Sequence, residues 1–405
     1  MKPTGRFWAF LATSFVFWFF ANQTQVGWLY IVSALLGGVL LASWLLNRGT
    51  LAQIIGKRML DVAFDEVKHE GDDINITLTL QNQGRLPASH LTIVEKCPLA
   101  PPNSEQHRLP MFIPILRNTI SFDYQTEIYR RGLHHFPALT VKSRAPFGFF
   151  ERAGTHQVET SILIYPELRQ LSRLSLLDEQ PAAELTNPKA GIGSEVIGVR
   201  PYRAGDSPRH IHWRSVAKRG QLVSKEFAQE TQPGVTVILD RYCPLSPVPA
   251  TKHQPFEIAV KCAVSISDYA MRQGYPVHLA VDQSDTASPQ GAVVRDTLLQ
   301  YMARVDTVPQ ASLSDVLNFQ PLQQFVAIVL SWVDDSVIET LVALKHRGFN
   351  LLVIIPDPMT FPIGSDVSAQ TMQGALERND ISYRIIQHGD DWSDVISNEN
   401  IELAL

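Results

Sequence analysis

Four aspartates, Asp240, Asp282, Asp334 and Asp357, each stand at or just after the end of an apolar run, and through them this chain could hold a cation. Hard divalent ions need several oxygens converging on one point. A strand that ends in aspartate before a long helix supplies them when two serines follow in Asp-x-Ser-x-Ser spacing. Here Asp240 is followed by Arg241, Tyr242, Cys243 and Pro244, so both serine positions are lost and a fixed cation stands beside the carboxylate; Ser246 comes too late. Asp240 is a weak metal candidate, and its ordinary role is to cap a loop or pair with Arg241.

The second group is a basic run. Arg200, Arg203, Arg209, Arg214, Lys218, Arg219 and Lys225 crowd around one acid, Asp206, in a chain whose net charge is -5. Two readings apply. In the first, the arginines stitch the segment to carboxylates of the domain that follows through bidentate bonds. In the second, Arg200, Arg203, Arg209, Arg214 and Lys218 are exposed and form a docking face for an acidic protein or for anionic headgroups. Tyr202 and Trp213 then serve as aromatic anchors, although core packing is the expectation for Trp213. Asp206 lies in an AGDSP turn, where its side chain can bond nearby backbone amides.

Other constellations carry less. His210 and His212 with Asp206 are a possible transition-metal set, but their spacing puts both rings on one face only in a strand, and the arginines repel a dication. The run GIGSEVIG, Gly191 to Gly198, lacks the GKS or GKT ending and the buried strand of a phosphate cradle. No GxSxG elbow is present, and Asp334 with Asp335 suits a helix N-terminus. Neither a cofactor nor enzymatic chemistry is expected.

These groups must be positioned by a chain of 405 residues, 45% apolar, enough for two or three domains. Mild acidity argues against a dedicated nucleic-acid binder. Cys97, Cys243 and Cys262 are odd in number and far apart, which fits a reducing compartment without disulfides. Phe7 to Ala21 and Gly27 to Leu46 are apolar runs, the second of about the 20 residues a bilayer-crossing helix needs. They predict a transmembrane helical hairpin over 1–50. A cleaved signal peptide competes for the first run, but Phe19 stands where a small residue would precede cleavage after Ala21. Lys2 and Arg6 before the hairpin and Arg48, Lys57 and Arg58 after it place both ends, and the soluble body, in the cytoplasm of a two-pass inner-membrane protein.

Beyond the hairpin, alternating or β-branched runs such as LDVAFDEV, INITLTLQN and HLTIVEKC predict an immunoglobulin-like β-sandwich of seven or so strands over 57–167. A linker over 168–190 leads to the arginine-rich segment, 191–232. The texture then changes to apolar strands alternating with helices, a doubly wound α/β domain over 233–405 whose ligands would collect beyond the carboxyl ends of the strands. The whole is an α+β multidomain chain.

The stretch Val199-Arg200-Pro201-Tyr202-Arg203, Gly205-Asp206, Pro208-Arg209, Ile211, Trp213 and Ala217, then Gly220, Leu222, Lys225 and Glu226, resembles the signature of the family called domain of unknown function 58. An RRG at Arg130 to Gly132 and a PFG turn at Pro146 to Gly148 agree with it. His212 stands where that family usually has aspartate. The resemblance implies a von Willebrand A-like C-terminal domain, and association with MoxR-type AAA+ ATPases and with transglutaminase-like membrane proteins. The expectation is a non-enzymatic, membrane-anchored protein-binding scaffold working with such an ATPase in protein maturation or envelope stress. Its rivals are a metal-dependent receptor or hydrolase built on Asp240, Asp282 and Asp334, and an anionic-lipid sensor.

Overall fold

The computed structural model describes residues 1–47, 51–62, 66–85, 87–178, 190–202, 211–228, 234–244, 252, 254–282, 285, 287–289, 291–310, 313, 316, 322–334, 336–364 and 366–398, with backbone alone at 190–200, 218–219, 226–228 and 336. The chain divides into two compact units, Met1–Glu167 and Leu168–Leu405.

The first unit opens with β1 (Lys2–Pro3), α1 (Gly5–Thr24) and α2 (Gly27–Leu46). Gln25, in the left-handed region at φ 59°, ends α1 and turns the chain. Ser14 and Ser33 stitch the two helices reciprocally, each hydroxyl donating to the other's carbonyl at 3.0 Å. Among the described residues only α2 is long and apolar enough to cross a membrane, with a mean hydropathy of 2.1 in its most apolar window. The two spans expected from the sequence therefore reduce to one on this criterion. The physical reason is dilution: α1 mixes its phenylalanines with Arg6, two tryptophans and the polar end Asn22-Gln23-Thr24.

Strands β2 (Ile54–Leu60), β3 (Asp73–Asn82), β4 (Ala88–Lys96), β5 (Arg108–Leu116), β6 (Thr119–Glu127), β7 (Gly132–Phe136), β8 (Leu139–Ser143), β9 (Phe150–His156) and β10 (Thr160–Ile164) follow. They form antiparallel sheets in the orders β1-β9-β8-β4-β5, β2-β3-β6 and β10-β7. Alternation sets the faces: Ile74, Ile76, Leu78 and Leu80 of β3 are buried, while Thr77 and Thr79 pair with Asp123 and Ser121 across the outer face. Ile54, Leu78 and Leu80 meet Leu91, Ile93, Ile113 and Val141 in one core, so the two larger sheets share their apolar side chains.

Two sequence readings are corrected here. Among the described residues of the run LDVAFDEV only Leu60 belongs to a strand, because β2 lies earlier. The segment RLPMFIPIL, absent from the strands expected above, is β5; it sits at the edge of its sheet, where missing amide donors are tolerated.

Arg58, expected as a membrane-flanking charge, is 6% exposed. Its Nε and Nη2 donate to Glu95 at 2.8 and 3.0 Å, Nη1 donates to the Val158 carbonyl at 2.9 Å, and the guanidinium lies 4.6 Å from the Phe136 ring centroid. Tyr124 donates to Glu95 at 3.2 Å.

The second unit carries α3 (Ser175–Asp178), β11 (Ala190–Pro201), α4 (Trp213–Arg219), β12 (Val223–Ala228), β13 (Val235–Leu239), α5 (Pro255–Arg272), β14 (Val277–Ala280), α6 (Arg295–Arg304), β15 (Phe325–Val329), α7 (Ser336–His346), β16 (Asn350–Pro356), α8 (Gln370–Arg378), β17 (Ser382–Ile386) and α9 (Trp392–Ser397). Strands β11 and β12 pair antiparallel; the remaining five form a parallel sheet in the order β14-β13-β15-β16-β17. Every residue of β13 and β15 is buried, as near-continuous apolar runs require in a sheet covered on both faces. Strand order reverses between β13 and β15, which makes the carboxyl ends of those two strands the natural place for a crevice. Mixed α and β structure is thus established, with its polar chemistry pushed to strand ends.

Removing one partner of the Arg58–Glu95 bridge leaves an uncompensated buried charge. We expect Glu95→Ala to cost about 3–5 kcal/mol and the double Arg58→Met/Glu95→Leu variant markedly less, read by urea unfolding of the full chain.

Candidate functional site

At the carboxyl end of β13 the chain passes through Asp240 and Arg241, both buried. Asp240 Oδ1 accepts from the Tyr242 amide at 3.0 Å. Burial pushes its carboxyl up to about 7, and the nearby charges of Asp282 and Asp334 add to the rise. Arg241 does not pair with Asp240, the alternative the sequence offered. Its Nη1 lies 3.1 Å from carboxylate oxygens of both Asp282 and Asp285, and its Nε donates to the Asp306 carbonyl at 2.8 Å. Tyr301 donates to Asp285 at 2.8 Å, and burial with this contact raises the phenol's pKa.

This donor set does not fit a divalent cation. Tyr242 and Pro244 occupy the serine positions, and a guanidinium supplies the positive charge between two of the carboxylates. Among the described residues no group of three or more His, Cys, Asp or Glu side chains could hold a metal ion. Asp357, at the end of β16, orders its own loop: it accepts from the Ala369 amide at 2.9 Å and from the Ser368 hydroxyl at 3.1 Å. Asp335 lies outside the described residues.

Beside this edge is a narrow recess lined by Cys243, Pro255, Phe256, Trp332 and Ile363, with the polar Gln254, Thr307 and Ser331. It lies at the strand-order reversal, because Cys243 follows β13 and Ser331 follows β15. Ser331 Oγ donates to the Tyr242 carbonyl at 2.7 Å, tying the two strand ends together. Among the described residues the lining is largely apolar.

The basic segment is carried by the β11–β12 pair. Arg200 stands opposite Ser224 in the register, its side chain outside the described atoms. Tyr202 is half-buried, and its amide donates to the Leu222 carbonyl at 3.0 Å. Arg203, Asp206, Arg209 and His210 lie outside the described residues, as does the side chain of Lys218. Trp213 opens α4 and is 65% exposed, which corrects the expectation that it packs in a core; Arg214 beside it is exposed as well.

Sequence reasoning missed what holds α4 in place. His212 caps it: Nδ1 accepts from the Ser215 amide at 3.2 Å and lies 2.7 Å from the Ser215 hydroxyl. A histidine in front of Trp-Arg-Ser carried that signal in its spacing to Ser215. Gly220, at φ 65°, closes the helix, a conformation that costs glycine little. Thus both ends of α4 are fixed while Trp213 projects outward.

No family model matches the chain. It is similar to "Uncharacterized protein YeaD" of Bacillus subtilis (strain 168), 22% identical over 263 residues, 57% of this chain and 63% of that protein, so it covers under two thirds of the relative's length. Among solved structures, the GH20 exo-β-N-acetylglucosaminidase of Vibrio harveyi with N-acetylglucosamine matches 80% of this chain and 59% of its own at 9% identity and a TM-score of 0.19. A calcium-binding mutant of Bacteroides uniformis β-glucuronidase 2 matches 79% and 43% at 11% identity and a TM-score of 0.15. Overlaps at this level define no common fold.

Asp240 makes stability depend on pH. Below about 4 it is protonated in both the folded and the unfolded chain; between about 4 and 7 only the unfolded chain ionises it, so stability falls as pH rises, and above 7 the loss is complete. Asp240→Asn keeps the Tyr242 bond and should raise the melting temperature clearly at pH 8 and negligibly at pH 4 in scanning calorimetry. Equal shifts at both values would contradict the raised pKa.

Proposed function

We propose that this chain is a non-enzymatic, membrane-anchored scaffold whose α4 segment docks an acidic protein partner. The observation that carries the reading is Trp213, 65% exposed at the start of a helix fixed at both ends, with exposed Arg214 next to it. Indoles and guanidiniums dominate binding energy where they are buried by a partner, and covering a tryptophan of roughly 200 Å² is worth several kcal/mol at about 25 cal/mol per Å². A pre-positioned anchor also spares ordering entropy on binding.

Three further statements complete the proposal. The motif through Trp213 supports a place in the family called domain of unknown function 58, and the distant likeness to YeaD agrees with a chain of uncharacterised type. On that footing the first unit reads as immunoglobulin-like and the second as von Willebrand A-like with its cation site replaced by Arg241. The partners are then a MoxR-type AAA+ ATPase and a transglutaminase-like membrane protein. The apolar helix α2, packed with α1 and flanked by Lys2, Arg6 and exposed Lys57, supports a two-pass inner-membrane disposition with the body in the cytoplasm.

Affinity recovery of the tagged full chain from solubilised membranes tests the docking face. Trp213→Ala and Arg214→Glu should each lower recovery of a specific partner by about tenfold, the loss expected of an interface anchor. Unchanged recovery with both variants, or turnover of a small molecule by the purified chain, would count against the proposal.

A further inference from the structure

The turn that joins β8 to β9 lies against the helical pair well inside its ends. Phe149 stacks on Phe10 of α1 with ring centroids 4.8 Å apart, and Phe150 meets Phe7 at 5.0 Å. Leu40 of α2 is buried with both phenylalanines, and Val39 packs beside it. Backbone and polar contacts lock the arrangement. The Thr4 amide donates to Phe149 at 2.9 Å, its hydroxyl to the Gly148 carbonyl at 2.7 Å, and Asn47 Nδ2 to the Phe150 carbonyl at 3.2 Å. Lys2 and Pro3 pair with Glu151 and Phe150 as β1. Gly148, at φ 76°, makes the turn possible, and a side chain there would press on the Arg6 guanidinium.

Depth follows from helix geometry. Leu40 lies six residues before the end of α2, and Phe10 five residues into α1, each about 8–9 Å from its helix end at 1.5 Å per residue. A helix of 20 residues is roughly 30 Å long, the thickness of the hydrocarbon layer, and leaves no spare turns to stand clear of it. If α2 crosses the bilayer, a turn fixed at the level of Leu40 cannot remain in water. Phe147, at the tip, is 54% exposed, with its ring centroid 6.0 Å from that of Phe149. Exposed Lys2, Lys142 and Arg144 lie about Glu151 beyond the turn, and exposed Arg6 stands beside Gly148. Glu151, which pairs with Arg144 at 2.6 Å, is one carboxylate against these four cations, so the patch is positive.

Resting on the reading of α2 as a membrane anchor, we propose that the Pro146–Phe150 turn dips into the bilayer, with Phe147 among the acyl chains and Lys2, Arg6, Lys142 and Arg144 against anionic phospholipid headgroups. The β-rich unit is then held to the membrane at two places, the helices and this turn. Charge complementarity and continuity with the helical pair select a lipid surface over a protein as the occupant.

The test uses the full chain carrying Phe147→Cys, labelled with an environment-sensitive fluorophore and reconstituted into vesicles of phosphatidylcholine alone or mixed with phosphatidylglycerol. The native thiols, Cys97, Cys243 and Cys262, are buried, which directs the label to the new site. A label on Val67→Cys, an exposed position of the same unit, serves for comparison. The label at 147 should be quenched by brominated lipid at least about twofold more than at 67, resist aqueous iodide, and gain further on adding phosphatidylglycerol, as a basic patch at an anionic surface requires. Iodide quenching at 147 equal to that at 67, in protein that resists alkaline carbonate extraction, would overturn the dipping turn alone. Extraction by carbonate would overturn the anchor and the turn together. No response to phosphatidylglycerol would overturn the headgroup contact.

Discussion

A guanidinium placed among carboxylates governs the carboxyl edge of the parallel sheet. Strands buried on both faces have nowhere to put polar groups except their ends, and there Arg241 draws Asp282 and Asp285 to itself. The internal charge does for these carboxylates what a bound cation would do, and it leaves Asp240 with only a backbone amide. Asp240 then ionises only near neutrality, because a second negative charge in that position has neither solvent nor counterion. The crevice beside it keeps apolar walls. Its position at the strand-order reversal is that of a ligand site, while its chemistry is that of a packing surface.

A comparable economy organises the first unit. Arg58 looks in sequence like one more charge after a membrane span, yet it is spent on Glu95 in the interior, with Tyr124 and the Val158 carbonyl completing the set. Buried ion pairs add little net stability over apolar substitutes, but breaking one is costly, because the partner left behind is a charge without solvent. In the five-stranded sheet that carries Glu95, the Phe149–Phe150 turn grips the helices through aromatic contacts and backbone hydrogen bonds. The β-rich strands and the helical pair therefore belong to one compact unit.

Much of this was legible in the residues. Alternation in INITLTLQN placed β3 with its inner and outer faces, and continuous apolar runs placed β13, β15 and β16 in a parallel sheet, because side-chain period and strand burial are local properties. Strand β5 escaped, since prolines argue against a strand unless one knows it lies at an edge. The basic segment was conspicuous as a run of charge, but whether Trp213 points inward or outward depends on what surrounds α4, and no periodicity encodes that.

The sequence by itself determined the kinds of layer, the loss of the serines a cation site needs, and an apolar helix long enough to span a bilayer, all of which follow from residue type and short-range spacing. Tertiary structure alone decided the pairings: Arg241 with Asp282 and Asp285 instead of its neighbour Asp240, Arg58 with Glu95, Phe149 with Phe10, and the outward placement of Trp213. Charge and aromatic contacts are set by distance in space, and residues separated by dozens or more positions are brought within a few ångströms only when the sheets close.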